Sequence, residues 1–326
     1  MSAARFIFLI SLLALLILPG CGAKNDVLHL EQGQALELED TPFYPQKEYQ
    51  CGPASLATLL GASGVGIEAD VLAPHIYLPG RRGSLQLELI SASRQYGRIP
   101  YTIDGEVSAL VSELRAGRPV LVLQNLGLSI IPVYHYAVVI GVLPPDRIIL
   151  RSGITRRLVM DADHFLATWR RADSWGMIVL RPGALPEDPD PVRFLEATNS
   201  FEISGNIIGA EHAYKAARAA WPDSQTALFA LGNNYLLQAR YREAALAFGE
   251  LLVINPEHVA AANNLAEVLA KRGCYSQARA AISQTVKIAK RIGSPLTETV
   301  LLTQQQISQQ VNQAEPGEDR TCNDHQ

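Results

Sequence analysis

The spacing of apolar and polar positions changes twice along the 326-residue chain. Residues 6–18 (FIFLISLLALLIL) form an apolar run behind Arg5. It is too short for a comfortable membrane span and matches the core of a signal peptide. A short strand is expected at 27–30. Leu56, Leu59 and Leu60 then fall at helical spacing, with Ala54, Ala57 and Thr58 permitting close packing. This helix starts at Cys51, and Gly61 is expected to end it. A second helix is read over 67–75. Ser84 is the expected N-cap of a third, which carries Leu85, Leu87, Leu89 and Ile90 and closes at Gly97. A strand at 99–103 and a helix over 107–116 follow. Beyond Gly117 the runs become short and β-rich, at 119–123, 135–143, 147–151, 156–160 and 177–180. Pro144-Pro145-Asp146 joins two of them as a hairpin, and Asp161 caps a short helix with Phe165, Leu166 and Trp169. Helices first and an antiparallel sheet second predict an α+β domain.

The stretch 182–191 (PGALPEDPDP) is rich in proline and acid and marks a domain boundary. Past it the chain is alanine-rich and helical with a period of about 34 residues. Leu231 and Leu265, Tyr241 and Tyr275, Ala244 and Ala278, and Phe248 and Ile282 are in phase. Ala210, Tyr214 and Pro222 extend the register upstream. The pattern resembles tetratricopeptide repeats, which implies paired helices and a protein-binding surface. The expected organisation is a signal peptide at 1–20, a tether at 21–35, the α+β domain at 36–182 and a linker at 183–191. The all-α repeat domain follows at 192–290, and a helical to disordered tail at 291–326.

Composition is that of folded material, with 48% hydrophobic and 18% charged residues. A net charge of −4 and the lack of a Lys/Arg cluster exclude a nucleic-acid partner. Leu18-Pro19-Gly20-Cys21 resembles a bacterial lipobox. That resemblance implies lipidation of Cys21, cleavage before it and attachment to a membrane. Gly22 stands where an inner-membrane retention signal has Asp, so an outer-membrane lipoprotein facing the periplasm is expected. In that oxidising compartment Cys274 and Cys322 are candidates for a disulfide, which leaves Cys51 as a free thiol.

The candidate chemistry lies in residues 45–60, PQKEYQCGPASLATLL. A cysteine at a helix start meets unpaired N–H groups and the positive end of the helix dipole, which favour a thiolate. Gln46 can donate an amide hydrogen bond to an oxyanion forming beside the sulfur. The arrangement Gln–x4–Cys–Gly–Pro–Ala–Ser before an apolar helix resembles the nucleophile segment of C39-like cysteine peptidases, a papain-like family. The resemblance implies a papain-like α+β peptidase domain that cleaves a peptide or protein substrate with Cys51, a downstream histidine and Gln46. His135, which opens the strand Tyr134-His135-Tyr136-Ala137-Val138-Val139, fits that histidine. His75 and His164 fall in expected helices, and His212 and His258 in the repeats. The family's orienting Asp or Asn has no evident counterpart, because the matching stretch is Ile149-Leu150-Arg151-Ser152-Gly153. Arg151 cannot accept a hydrogen bond, and Ser152 is a weak acceptor. No metal motif or phosphate loop occurs, so no cofactor is expected. Arg81-Arg82 and Arg170-Arg171 read as solvated surface. Two alternatives stay open beside hydrolysis: acyl transfer by the same thioester chemistry, and an inactive peptidase-fold scaffold that only binds.

Overall fold

The computed structural model describes residues 35–314 and Cys322. The expected signal peptide, Cys21 and the strand at 27–30 lie outside the described residues. The first domain runs β1 (Leu36–Glu37), α1 (Cys51–Ala62), α2 (Ala69–Ile76), α3 (Gln86–Gln95), β2 (Ile99–Thr102) and α4 (Val107–Arg115). It continues with β3 (Val120–Asn125), β4 (Tyr134–Leu143), β5 (Arg147–Ser152), β6 (Thr155–Asp161), α5 (Ala162–Arg170) and β7 (Gly176–Leu180). The strands make one antiparallel sheet in the order β2-β7-β3-β4-β5-β6, and β1 adds to β4 where β3 stops.

The sheet is buried on both faces, so β3 reads as a continuous apolar run instead of an alternation. Val120, Val122, Val139 and Leu150 pack with α4 and α5 on one side. Leu121, Leu123, Val138, Ile140 and Ile149 pack with Leu56, Leu59 and Leu60 of α1 and with Leu72, Ile76 and Leu89 on the other. Gly141 sits where β1 crosses β4, and a Cβ there would collide with the carbonyl of Leu36. Pro144-Pro145-Asp146 joins β4 to β5, as the spacing suggests.

Two local expectations fail for packing reasons. Gly61 lies inside α1 instead of ending it, because its bare Cα faces Pro42, whose Cγ would be 3.0 Å from a Cβ. The turn is made three residues on by Gly64 at φ +91°. Ser84 is not the cap of α3: the helix starts at Gln86 behind Leu85, and the Ser84 hydroxyl is turned to Gly52. Asp161 does cap α5, its Oδ1 accepting from the N–H groups of Asp163 and His164.

The second part is helical throughout: α6 (Pro191–Ile203), α7 (Ile207–Ala220), α8 (Gln225–Leu237), α9 (Tyr241–Ile254), α10 (Val259–Lys271), α11 (Tyr275–Ile292) and α12 (Thr297–Gln313). Successive helices pair antiparallel as hairpins. Ala210, Ala244 and Ala278, the in-phase alanines, are fully buried where helices touch, as are Tyr214, Phe248 and Ile282. Buried Glu211 knits two hairpins together by accepting from Lys215, Arg240 and Gln238. Burial raises its pKa, but these donors outweigh it and hold the carboxyl down to about 2. Cys274 and Cys322 are joined by a disulfide with Cα atoms 5.9 Å apart. The side-chain amide of Gln277 both donates to and accepts from the Cys322 backbone.

The proline-rich boundary is sewn to the first domain. The Glu187 N–H donates to Glu113 and the Asp190 N–H to the Tyr101 hydroxyl, while Arg193 bonds Asp104 and the Thr102 carbonyl. Phe194 and Leu195 of α6 belong to the same apolar cluster as Tyr101 and Leu110.

One buried cation holds the segment that leads to Cys51. The Arg151 side chain, 5% exposed, donates to the carbonyls of Thr41 (3.0 Å), Glu39 (2.9 Å) and Arg156. Removing it leaves three carbonyls without their charged donor. Arg151→Ala is therefore expected to lower unfolding free energy by about 2–4 kcal/mol in urea titrations. Arg157→Ala, which removes an exposed pair to Glu37, should change it far less.

Candidate active site

Cys51 is the first residue of α1, half-buried, and the free thiol among the described residues. The residue before it, Gln50, has non-helical dihedrals, so the chain enters the helix at the sulfur itself. Close packing of α1 on β3, β4 and β5 brings this helix start against the beginning of β4. There the backbone N–H of Tyr136 reaches the Cys51 sulfur, together with the N–H groups of Gly52 and Cys51. His135 is the residue immediately before Tyr136. The structure thus brings Cys51 and the opening of the histidine strand together.

The imidazole has a partner. His135 Nε2 lies 2.9 Å from the Ser152 hydroxyl, across the β4–β5 pair. Arg151 pairs with Val138 on β4, and the pairing with β6 shifts register between Leu150 and Ser152, so the two neighbouring side chains take different partners. Arg151 goes to the segment at 39–41, and Ser152 goes to His135. Sequence reasoning passed over Ser152 as a weak acceptor. The signal that could have found it is the hairpin register, which places it on the neighbouring strand beside the histidine.

Gln46 lies close by. Its backbone N–H donates to the Gly153 carbonyl at 3.1 Å, and its side chain lines a small recess with Tyr44, Ser55, Ser152 and Gly153. The Gln46 Oε1 is buried without a hydrogen-bond partner. Such an atom costs free energy unless something binds there.

The wall beyond Cys51 is formed by Tyr136, whose ring meets Trp175 edge-on at 6.0 Å and whose hydroxyl donates to the Ser84 carbonyl at 3.4 Å. A Cβ on Gly52 would sit 2.6 Å from the Ser84 hydroxyl, so glycine is needed after the cysteine. The Ser84 hydroxyl and one Glu88 carboxylate oxygen are also buried without partners. Burial pushes the Tyr136 hydroxyl well above its usual range, and the nearby Cys51 and Glu88 add to the shift.

Electrostatics departs from the expectation of a thiolate at rest. Burial pushes the Cys51 thiol up, and the three N–H groups at the sulfur oppose this without cancelling it. Burial also pushes the His135 imidazole down. Both effects favour neutral groups. Near neutral pH these directions favour a thiol and a neutral imidazole, and the ring's hydrogen-bond partner is the Ser152 hydroxyl. Among the described residues no group of three or more His, Cys, Asp or Glu could hold a metal ion.

The first domain is thus an antiparallel α+β domain that opens α1 on Cys51 and carries His135 at the start of β4. Residues 38–173, which include Gln46, Cys51, His135 and Ser152, match the family model described as Peptidase_C39 like family. Two solved structures are similar to a part of the chain. The peptidase domain of Streptococcus ComA, a bi-functional ABC transporter involved in quorum sensing, is 18% identical with a TM-score of 0.36. The match covers 43% of this chain and 97% of that one. A double glycine motif protease from an AMS/PCAT transporter, solved with a leader peptide, is 18% identical with a TM-score of 0.33. There the match covers 45% and 98%. Comparison with curated proteins finds no match.

The His135 environment sets a pH signature. Because its folded pKa is depressed, the unfolded chain takes up the proton first as pH falls below about 6.5. His135 thus contributes stability above that pH which is lost as pH falls toward the folded pKa, and His135→Gln should flatten this part of the profile. Imidazole NMR titration should place the His135 pKa below the ordinary value in the wild type. In Ser152→Asp, where a carboxylate faces Nε2, it should rise.

Proposed function

We propose that this chain is a lipid-anchored cysteine peptidase of the cell envelope that hydrolyses peptide bonds by a Cys51–His135 mechanism. The observation that carries the reading is the convergence of the Cys51 sulfur, the start of β4 and the His135–Ser152 hydrogen bond. Cys51 Sγ attacks the substrate carbonyl carbon while His135 takes its proton, so that the ion pair forms only as the substrate binds. The Gln46 side-chain amide and the Cys51 N–H stabilise the oxyanion. Collapse gives a thioester and expels the amine, which receives the proton from His135. Water, activated by His135, then releases the acid and restores the thiol. Ser152 acts through its hydrogen bond to His135, and its role is to fix the ring's orientation.

The anchor rests on Cys21 and its lipobox-like context. The C-terminal hairpins, with small residues at their contacts and the repeat register near 34 residues, serve as a tetratricopeptide-type module for a protein partner. The second reading, an inactive binding scaffold, is favoured by one observation: the residue behind His135 is a neutral serine. It carries no charge to support an imidazolium.

Thiol-directed peptide probes distinguish the two. An alkylating probe should label Cys51 of the wild type, with the site mapped by mass spectrometry, and His135→Ala should slow this about 10²-fold. Gln46→Ala should slow an acylating probe by about 10²–10³-fold while changing alkylation little, because only acylation develops an oxyanion. Labelling no faster than a free thiol and indifferent to His135 sinks the peptidase reading and leaves the scaffold.

A further inference from the structure

The loop between β3 and β4 exposes more apolar surface than a soluble fold needs. Over residues 126–134 the sequence is LGLSIIPVY, and no charged residue occurs between Arg118 and Asp146. Leu128 is 65% exposed, Ile130 84%, Ile131 66% and Tyr134 59%. A contiguous apolar patch of this kind marks an interaction site.

The shape and backbone of the loop say what kind. It is a folded extension of the β3–β4 hairpin in which the N–H groups of Leu126, Gly127, Ile131 and Val133 are bonded locally. The Leu126 N–H donates to the Val133 carbonyl and the Ile131 N–H to the Leu128 carbonyl. Asn125 Oδ1 accepts from both Gly127 and Val133, and Pro132 has no N–H. Gly127 is required, because a Cβ there would collide with the Ile131 carbonyl. With the amides of its stem paired, the loop offers apolar side chains more than a strand edge, which suits an apolar phase better than strand addition. Ile130, its most exposed residue, lies at the turn, so the tip of the loop is apolar. Tyr134 stands at its base, and Arg171 donates to the Asn125 carbonyl there, with Arg170 adjacent. Apolar tip, aromatic and cationic base is the order in which a bilayer presents its core, interface and anionic headgroups.

We infer that the loop at 126–134 dips into the surface of a phospholipid bilayer and turns the Cys51–His135 site toward that surface. The membrane it names rests on the anchored reading. Residue 35 enters at the far end of β4, about 26 Å along the strand from Tyr134. A chain from Cys21 to residue 35 reaches about 48 Å at full extension, so anchor and loop can meet one bilayer. His135 follows the loop by a single residue, so substrates would be polypeptides held at the lipid surface.

The test uses the full chain purified from bacterial membranes and reconstituted in phosphatidylethanolamine–phosphatidylglycerol vesicles with and without brominated acyl chains. Tryptophan is placed at Ile130 or, as a control, at Val253 of α9, which is 83% exposed. Intact mass reports separately whether Cys21 is lipidated. Ile130→Trp should gain emission that brominated lipid quenches about two-fold, whereas that from Val253→Trp should not be quenched. Quenching at position 130 in a protein without lipid on Cys21 would still support the loop's insertion, while removing the anchor. A lipidated protein whose tryptophan at 130 is quenched no more than that at 253 overturns the inference and leaves the anchor standing. The patch would then belong to a protein partner.

Discussion

The register of β5 against β4 is the constraint on which the site depends. Arg151 and Ser152 are neighbours with different duties: the guanidinium goes to the carbonyls of Thr41 and Glu39, and the hydroxyl to His135. A slip of one residue would take the guanidinium from those carbonyls and the serine from His135. Neither could do the other's work: Arg151 accepts nothing, and a hydroxyl cannot replace a charged fork that serves three carbonyls. The guanidinium also fixes the segment at 39–41, which runs on to Gln46, whose N–H bonds the Gly153 carbonyl. One side chain thereby links the histidine's partner to the segment that precedes the cysteine.

Two influences compete at the sulfur. The helix start supplies N–H groups and a dipole worth about 0.3–1 kcal/mol near a terminus. Burial acts against charge, and here it prevails, since the thiol is pushed up and the imidazole down. A carboxylate behind His135 would tilt the balance toward the ion pair, whereas Ser152 orients the ring without charge. On the peptidase reading, reactivity in such a site depends on what the substrate brings: exclusion of water and an oxyanion to be held. Gln46 Oε1 and Ser84 Oγ are buried polar atoms without a hydrogen-bond partner in the same domain.

The fold was legible where local rules and burial agree. The Cys51 helix, the hairpin at Pro144-Pro145-Asp146, the Asp161 cap and the buried in-phase alanines all follow from period, turn chemistry and capping. The misreadings share one cause, which is tertiary contact. Gly61 looked like a helix stop, yet it serves Pro42, which approaches from elsewhere in the chain. Ser84 looked like a cap and instead fills the space left by Gly52. At the site, Cys51, His135 and Gln46 stood out by residue type and spacing, but Ser152 did not, because its role comes from a cross-strand register and not from its own chemistry. The lowered imidazole and raised thiol were also out of reach, since both come from burial by residues distant in sequence.

The placement of the helical hairpins limits how they can serve the site. They dock at the β2 edge of the sheet through Phe194, Arg193 and the ordered boundary segment. The Cys51–His135 region lies at β4, and β7 and β3 intervene. At about 4.8 Å per strand this separates the dock from the site by about 14 Å. That gap takes about four to five residues of extended peptide to cross. On the proposed reading, a protein held by the hairpins next to their dock would reach the sulfur through a segment that extends beyond the part bound, a requirement that an extended tail meets more readily than a compact folded surface.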